Sequence, residues 1–261
     1  MQLATQRLTQ PERTITLERL SIELTRLCNK GCCFCYNGSS SQGETVWQVD
    51  DLVAFVLDAA EHGVRAVSFG GGEPLQYPGL FDVLAALEGK LFRSFTTNGL
   101  LLQHNWVEVV ASRPDKVHVS IHFPDHAAEV TRVMAQVQQL QAAGIRSGIN
   151  LLVQQSKLTA VAKIVQRLHA SGITNDRIIY LPMRHQDTPT AHEIAALAGG
   201  QFQSMTCLTH CHRSPRFCSI NWQGEVAWCS YTRSRMTLQK LSYQHLVDTL
   251  SLIDLEYCGN A

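Results

Sequence analysis

The stretch LSIELT (20–25) runs directly into CNKGCCFC (28–35), and the fold follows from how its first half repeats. Leu20, Ile22 and Leu24 alternate with Ser21, Glu23 and Thr25, the two-residue period of a strand with one apolar face. Five more runs of this kind follow: RAVSFG (65–70), RSFTTN (93–98), KVHVSIH (116–122), RSGINLLV (146–153) and RIIYLP (177–182). Helical patterns near 47–62, 78–89, 103–112, 126–143 and 157–171 separate them, with Gly63, Gly144 and Gly172 where helix ends take a left-handed residue. Parallel strands joined by helices need right-handed crossovers. The prediction is an α/β fold, a partial (β/α)6 barrel, with an open doubly wound sheet as the alternative. Composition shifts after about residue 186, so residues 1–186 are expected to form the barrel and 187–261 a small extension built on a β-hairpin and a helix.

In strand four Val117, Val119 and Ile121 point one way and His118, Ser120 and His122 the other. Helices cover the apolar face, which turns the polar one inward. Strand one adds Glu23 and Thr25, strand three Ser94, Thr96 and Asn98, and strand five Asn150. Ordinary barrel interiors are layered with branched apolar residues. This lining therefore predicts an enclosed polar ligand, although each side chain taken singly is as readily a hydrogen-bonded core group.

Twenty-two basic and twenty-two acidic residues cancel, so no basic field recruits nucleic acid and no polybasic run invites a membrane. Apolar residues make up 45% of the chain and charged residues 17%, the latter below the usual ~25%. No apolar run approaches the roughly eighteen residues of a membrane span, and the N-terminal stretch lacks a signal-peptide core. The expected location is cytoplasmic, where nine cysteines are metal ligands sooner than disulfides.

Cys28, Cys32 and Cys35 form a CxxxCxxC triplet. Three thiolates anchor three corners of a [4Fe–4S] cubane and leave one iron open, whereas a closed cluster uses four. Zinc is the alternative, but zinc sites add a second pair of ligands nearby, and no second cysteine pair follows until Cys207. Cys33 is extra; beside a ligand it points away from the same corner and is expected to pack beneath the loop.

With Phe34 ahead of the third cysteine, GGGEP (70–74) after strand two and TTNG (96–99) closing strand three, the chain resembles the radical SAM superfamily. The resemblance implies S-adenosylmethionine bound through its amino and carboxylate groups to the open iron. Phe34 would lie along the adenine, and the backbone at Gly71 and Gly72 together with Glu73 would receive the methionine ammonium. Thr97 and Asn98 match the family's TNG turn, and Ser120 and Asn150 match positions that hold the ribose or the carboxylate. The strand-six exit, from Tyr180 to Met183, would meet the adenine edge. His122 stands where the family carries an acidic residue, which makes it, with His118 and Arg184, a candidate substrate-side group. By residue type alone, GGGEP is also an ordinary glycine-rich turn and TTNG simple loop chemistry.

Cys207, Cys211, Cys218, Cys229 and Cys258 crowd the last fifty-five residues. CHRSPRFCSINWQGEVAWC (211–229) reads as a strand, a turn at Gln223-Gly224 and a second strand. Twelve residues separate Cys211 from Gly224 and four separate Gly224 from Cys229, which resembles the opening of SPASM domains. The later SPASM cysteine block is absent, so the likeness is to the shorter twitch form with one auxiliary iron–sulfur cluster. Its implied ligands are Cys207, Cys211, Cys229 and Cys258. Cys218, inside the first hairpin strand, is either a buried small hydrophobe or an alternative ligand, and a zinc ribbon is the other reading of this tail.

The resemblance implies an enzyme. It would cleave S-adenosylmethionine reductively to a 5′-deoxyadenosyl radical, with reduced ferredoxin or flavodoxin as electron donor, and abstract hydrogen from a substrate. The expected outcome is net oxidation or crosslinking of a small peptide, with dehydrogenation of a small polar metabolite as the second reading. A noncatalytic iron–sulfur carrier or sensor is the third; GGGEP and TTNG speak against it, since a carrier needs no S-adenosylmethionine cradle.

Overall fold

The structure, a computed structural model, describes residues 15–203, 205–209 and 211–255. Six strands, β1 (Arg19–Thr25), β2 (Ala66–Gly71), β3 (Phe92–Thr97), β4 (Lys116–Ile121), β5 (Ser147–Val153) and β6 (Ile178–Pro182), stand side by side in chain order and pair in parallel. The crossovers are α1 (Val49–Glu61), α2 (Leu80–Ala86), α3 (Trp106–Ser112), α4 (Ala127–Ala142) and α5 (Leu158–Ala170), close to the expected bounds. Gly63, Gly144 and Gly172 follow α1, α4 and α5 at φ of 103°, 78° and 77°, as the sequence predicts. Past β6 come α6 (Ala191–Ala198) and α7 (Met205–Thr209). The periodicity reading passed over α6, although Thr190 and Glu193 form a reciprocal capping box at its start, a signal readable as T-x-x-E.

The expected hairpin forms from β7 (Phe217–Ile220) and β8 (Glu225–Ala227), with Gly224 at φ 77° in the turn. It joins the barrel's own sheet. β7 lies parallel to β1, Leu20 opposite Cys218 and Ile22 opposite Ile220, and β9 (Met236–Thr237) completes the order β6-β5-β4-β3-β2-β1-β7-β8-β9. The sheet is not closed; β6 and β9 are its edges. α8 (Tyr243–Ser251) returns to α1, where the Tyr243 N–H donates to Asp58 Oδ2 at 2.6 Å and its ring stacks on His62 at 4.8 Å. No helix of the described residues is long and apolar enough to cross a membrane.

The core lies between strands and helices. Ile22, Phe69, Phe95, Val117, Val119, Ile149 and Leu151 are fully buried, as are Phe55, Leu84, Val133 and Leu168 on the covering helices, each burial contributing about 1.5–3 kcal/mol. A buried arginine sits beside them. Arg93, only 3% exposed, donates to the carbonyls of Leu84 at 2.6 Å and Arg113 at 2.7 Å and to Asp115 Oδ2 at 3.2 Å. It thereby satisfies carbonyls at the ends of α2 and α3 that the helices leave unpaired.

Candidate functional site

The cysteine loop is fastened at both ends. Where β1 stops, Thr25 Oγ1 accepts the Leu27 N–H at 2.9 Å, the Cys28 N–H donates to Ser40 O at 2.8 Å, and the Cys35 N–H closes a turn on Cys32 O at 3.1 Å. The strand-two exit continues this pairing: Gly72 N–H donates to Thr25 O at 2.7 Å and Glu73 N–H to Leu27 O at 2.8 Å. A Cβ on Gly72 would sit 2.1 Å from Leu27 O. The close approach expected at this glycine is thus made by the cysteine loop itself, while a Cβ at Gly70 meets nothing within 4 Å.

Glu73 is 0% exposed. Its Oε1 accepts from Thr97 Oγ1 at 2.7 Å and Leu75 N at 3.2 Å, and Oε2 accepts from Asn98 N at 2.7 Å. Burial pushes its carboxyl up, and these three donors work against that. Instead of pointing at open space, as expected for an ammonium contact, the side chain ties the strand-two motif to the strand-three turn. Asn98 carries the link onward, its Nδ2 donating to Asn29 Oδ1 at 2.9 Å and lying 3.8 Å from Cys28 Sγ.

A second tie escaped the sequence reading. Lys30, inside the cysteine loop, meets Glu129 of α4 at 2.6 Å, both nearly buried. Glu129 Oε1 also accepts the N–H groups of His122 at 2.6 Å and Phe123 at 3.2 Å. Burial pushes its carboxyl up, but Lys30 and these N–H groups prevail and hold it below the usual carboxylate range. The end of β4, where His122 replaces the family's acidic residue, thus receives a carboxylate from the neighbouring helix.

The lumen is polar as expected. Thr96 stands opposite His118 across β3 and β4, and Ser120 opposite Asn150 across β4 and β5. Burial pushes both His118 and His122 down to about 4, so both rings are neutral near pH 7. His118 Nε2, His122 Nδ1 and Asn150 Oδ1 are buried without a hydrogen-bond partner, polar atoms that a ligand can satisfy. Phe34 packs 5.5 Å from Phe123 and 6.1 Å from His122. Tyr180 is a core residue, 1% exposed, and the Met183 N–H pairs with Val153 O at 2.8 Å.

The Cys32 thiol is pushed up to about 11, first by burial and, against the help of Lys30, by the nearby Cys28 and Cys35. A cationic cluster relieves such crowding of thiolates, so this donor set fits one. Among the described residues no three His, Cys, Asp or Glu gather as ligands of a single ion; cubane thiolates bind separate irons and stand apart. Cys33, expected beneath the loop, is exposed and lines a large cavity.

In the extension Cys207 and Cys229 are half-buried and Cys211 is exposed, while Cys258 lies outside the described residues. Cys218 is fully buried in the apolar core, and burial raises its thiol strongly. The C-terminal segment is drawn toward Cys211 and Cys229: Arg213 donates to Asp254 Oδ1 at 2.8 Å and Trp228 Nε1 to Ile253 O at 2.9 Å. Between this extension and the barrel opens a cavity of about 1140 Å³. One wall is Cys33 to Asn37, another Met183 to Asp187, and a third Ser230 to Arg235. Tyr231 bridges the walls, 5.0 Å from the Tyr36 ring and 5.0 Å beneath the Arg184 guanidinium.

An open, mostly parallel sheet thus places Cys28, Cys32 and Cys35 in the loop after β1, against the glycine exit from β2, and defines an α/β protein of the partial-barrel class. The description of the radical SAM superfamily matches residues 22–192, and the chain belongs to that superfamily, whose cofactors are a [4Fe–4S] cluster and S-adenosylmethionine. It is 27% identical over 176 residues to a probable GTP 3′,8-cyclase of Sulfolobus acidocaldarius, covering 63% of this chain and 56% of that one. A probable GTP 3′,8-cyclase of Methanosarcina acetivorans is 31% identical over 149 residues, 54% and 45% of the two chains. The chain thus spans about half the length of these curated relatives. Among solved structures, Streptococcus suis SuiB bound to its precursor peptide SuiA superposes with a TM-score of 0.71 at 15% identity, over 90% of this chain and 64% of that one. Native anSMEcpe with bound AdoMet gives 0.61 at 15% identity, over 90% and 83%. At these identities the likeness is one of fold.

Proposed function

We propose that this protein is a radical SAM enzyme that oxidises or crosslinks a small peptide held between two iron–sulfur clusters. The observation that carries the reading is the cavity, which begins beside Cys35 and ends at the loop that follows Cys229. Cys28, Cys32 and Cys35 would hold the first cluster, and Cys207, Cys211, Cys229 and Cys258 an auxiliary one. Bound there, the first cluster would supply the electron, drawn from a reduced ferredoxin or flavodoxin, for reductive cleavage of S-adenosylmethionine and hydrogen abstraction from the substrate.

This chain's residues orient the partners and exclude water. Glu73 sets the TNG turn, leaving carbonyls of the glycine exit for the methionine ammonium. Asn150 and Ser120 would meet the ribose or carboxylate from the lumen, Phe34 and Met183 the adenine, and neutral His118 and His122 the substrate side. A full set of four auxiliary thiolates suits electron acceptance from the substrate, which makes the net reaction an oxidation. SuiB, solved with its precursor peptide, shares the fold, and the cyclase relatives name a nucleotide. The cavity's four arginines are matched by four carboxylates, a lining without the excess positive charge a triphosphate needs, which favours the peptide. Incubation of the reconstituted protein with S-adenosylmethionine, reductant and peptides encoded beside its gene tests this: a product lighter by two hydrogens is expected, and turnover of GTP in its place would overturn the peptide reading.

A further inference from the structure

The large cavity presents polar groups that this reading leaves unused. Four arginines and four carboxylates line it, a balanced set, and several are committed within the protein. Asp187 accepts from Ser156 N at 2.7 Å and Ser156 Oγ at 2.6 Å, Glu225 accepts from Asn221 at 2.7 Å, and Arg26 donates to Gly38 O at 3.1 Å. Burial pushes the Glu23 carboxyl up, and Asn37, Tyr36 and the Trp222 backbone lie close enough to oppose that push. Five atoms of the lining, Arg184 Nε, Arg235 Nη1, Glu23 Oε2, Asn37 Nδ2 and Gln154 Oε1, are buried without a hydrogen-bond partner. Such atoms are rare in native proteins, and the strongest planar partner for a guanidinium is an oxyanion.

The two guanidinium groups are held from two different walls of the cavity. Arg184 lies over the Tyr231 ring at 5.0 Å, and the Gln186 N–H donates to Arg184 O at 2.9 Å across His185 at φ 68°. That is a γ-turn of the strained, positive-φ kind, and strain of this sort gathers at ligand clamps. Arg235 is held through Nη2, which donates to Ser230 O at 2.6 Å.

We propose that the cavity binds its substrate through a single carboxylate, taken by Arg184 and Arg235, while an N–H donor of the same molecule is taken by Glu23. This rests on the cavity being the substrate site and names the chemistry of what enters it. A polyphosphate is a poor occupant, because the balanced lining offers no excess positive charge and Glu23 lies near enough to Arg235 to feel its field and to repel further anionic charge. A peptide's acidic side chain or C-terminus, with its adjoining amide N–H, satisfies both ends.

Phenylglyoxal modification of the reconstituted protein with S-adenosylmethionine bound, mapped by mass spectrometry at Arg184 and Arg235, tests the assignment. N-acetylglycine, pyrophosphate and GTP serve as probes at matched ionic strength. N-acetylglycine is expected to shield both arginines and the other two probes neither. In Arg184→Gln, shielding of Arg235 should need about 10- to 100-fold more N-acetylglycine, the loss of one charge-assisted hydrogen bond. Shielding by GTP or pyrophosphate, no shielding by N-acetylglycine, or shielding by S-adenosylmethionine alone would overturn the proposal. Wild-type protein that forms 5′-deoxyadenosine with unshielded arginines sinks this inference by itself, whereas wild-type protein that forms none sinks the reading beneath it.

Discussion

The carboxylate of Glu73 and the hydroxyl of Thr97 lie 2.7 Å apart in the fully buried junction between the strand-two and strand-three motifs. Glu73 also takes the N–H groups of Leu75 and Asn98, so one side chain organises three donors. Glu73→Ala should cost about 3 kcal/mol or more, because each buried donor left unpaired costs about 1–3 kcal/mol. Thr97→Val should cost less, and the double variant less than the sum of the two. Urea denaturation checks this; full stability in Glu73→Ala with only weaker S-adenosylmethionine binding would mean that the carboxylate contacts the cofactor instead.

Gly72 and Gly70 make a matched pair. Gly72→Ala drives a Cβ to 2.1 Å from the backbone oxygen of Leu27, which cannot swing aside as a side chain can, whereas Gly70→Ala meets nothing within 4 Å. The first should displace the cysteine loop and lower iron incorporation, and the second should leave iron content near wild type. Equal iron in both proteins would refute the clash.

His118 and His122 titrate at about 4 in the folded protein against an ordinary 6.5, chiefly through burial. Below pH ~6.5 the unfolded chain takes up protons that the folded chain refuses, so stability falls as pH drops toward ~4 and levels off below it. The His118→Asn, His122→Asn protein should lose less stability between pH 7 and pH 5 than wild type. Identical losses in denaturant midpoints would show that these rings are accessible.

Much of this was readable in the chain because period-two strands and helix-ending glycines are local signals. LSIELT, KVHVSIH and Gly144 speak for themselves, as does Gly224 in the hairpin. What was not readable rests on pairings between distant residues. Lys30 and Glu129 are 99 residues apart, and nothing near either one announces the other. Arg93 looked like a strand-start residue, yet its role is set by carbonyls at the ends of α2 and α3. The pairing of β7 with β1 has no sequence signature either, and it decides which loops enclose the cavity. Cys33 was misjudged because a cysteine's neighbours say little about which way its side chain turns.

The cysteines of the extension divide by environment. Fully reconstituted protein should carry about eight irons per chain, following cubane stoichiometry. Cys211→Ala, Cys229→Ala or Cys258→Ala should each bring that toward about four, while Cys218→Ala, a change inside the apolar core, should keep about eight. One zinc with about four irons in the wild type would mean a structural zinc tail and no electron acceptor there.

The account stands most directly on formation of 5′-deoxyadenosine from S-adenosylmethionine by anaerobically reconstituted protein with dithionite. Wild type and Cys33→Ala should both form it, and Cys28→Ala, Cys32→Ala and Cys35→Ala should each form none, since removing one of three anchoring thiolates leaves the cubane without a corner. Wild-type protein loaded with iron that yields no 5′-deoxyadenosine, or a Cys32→Ala protein that still yields it, would contradict the account.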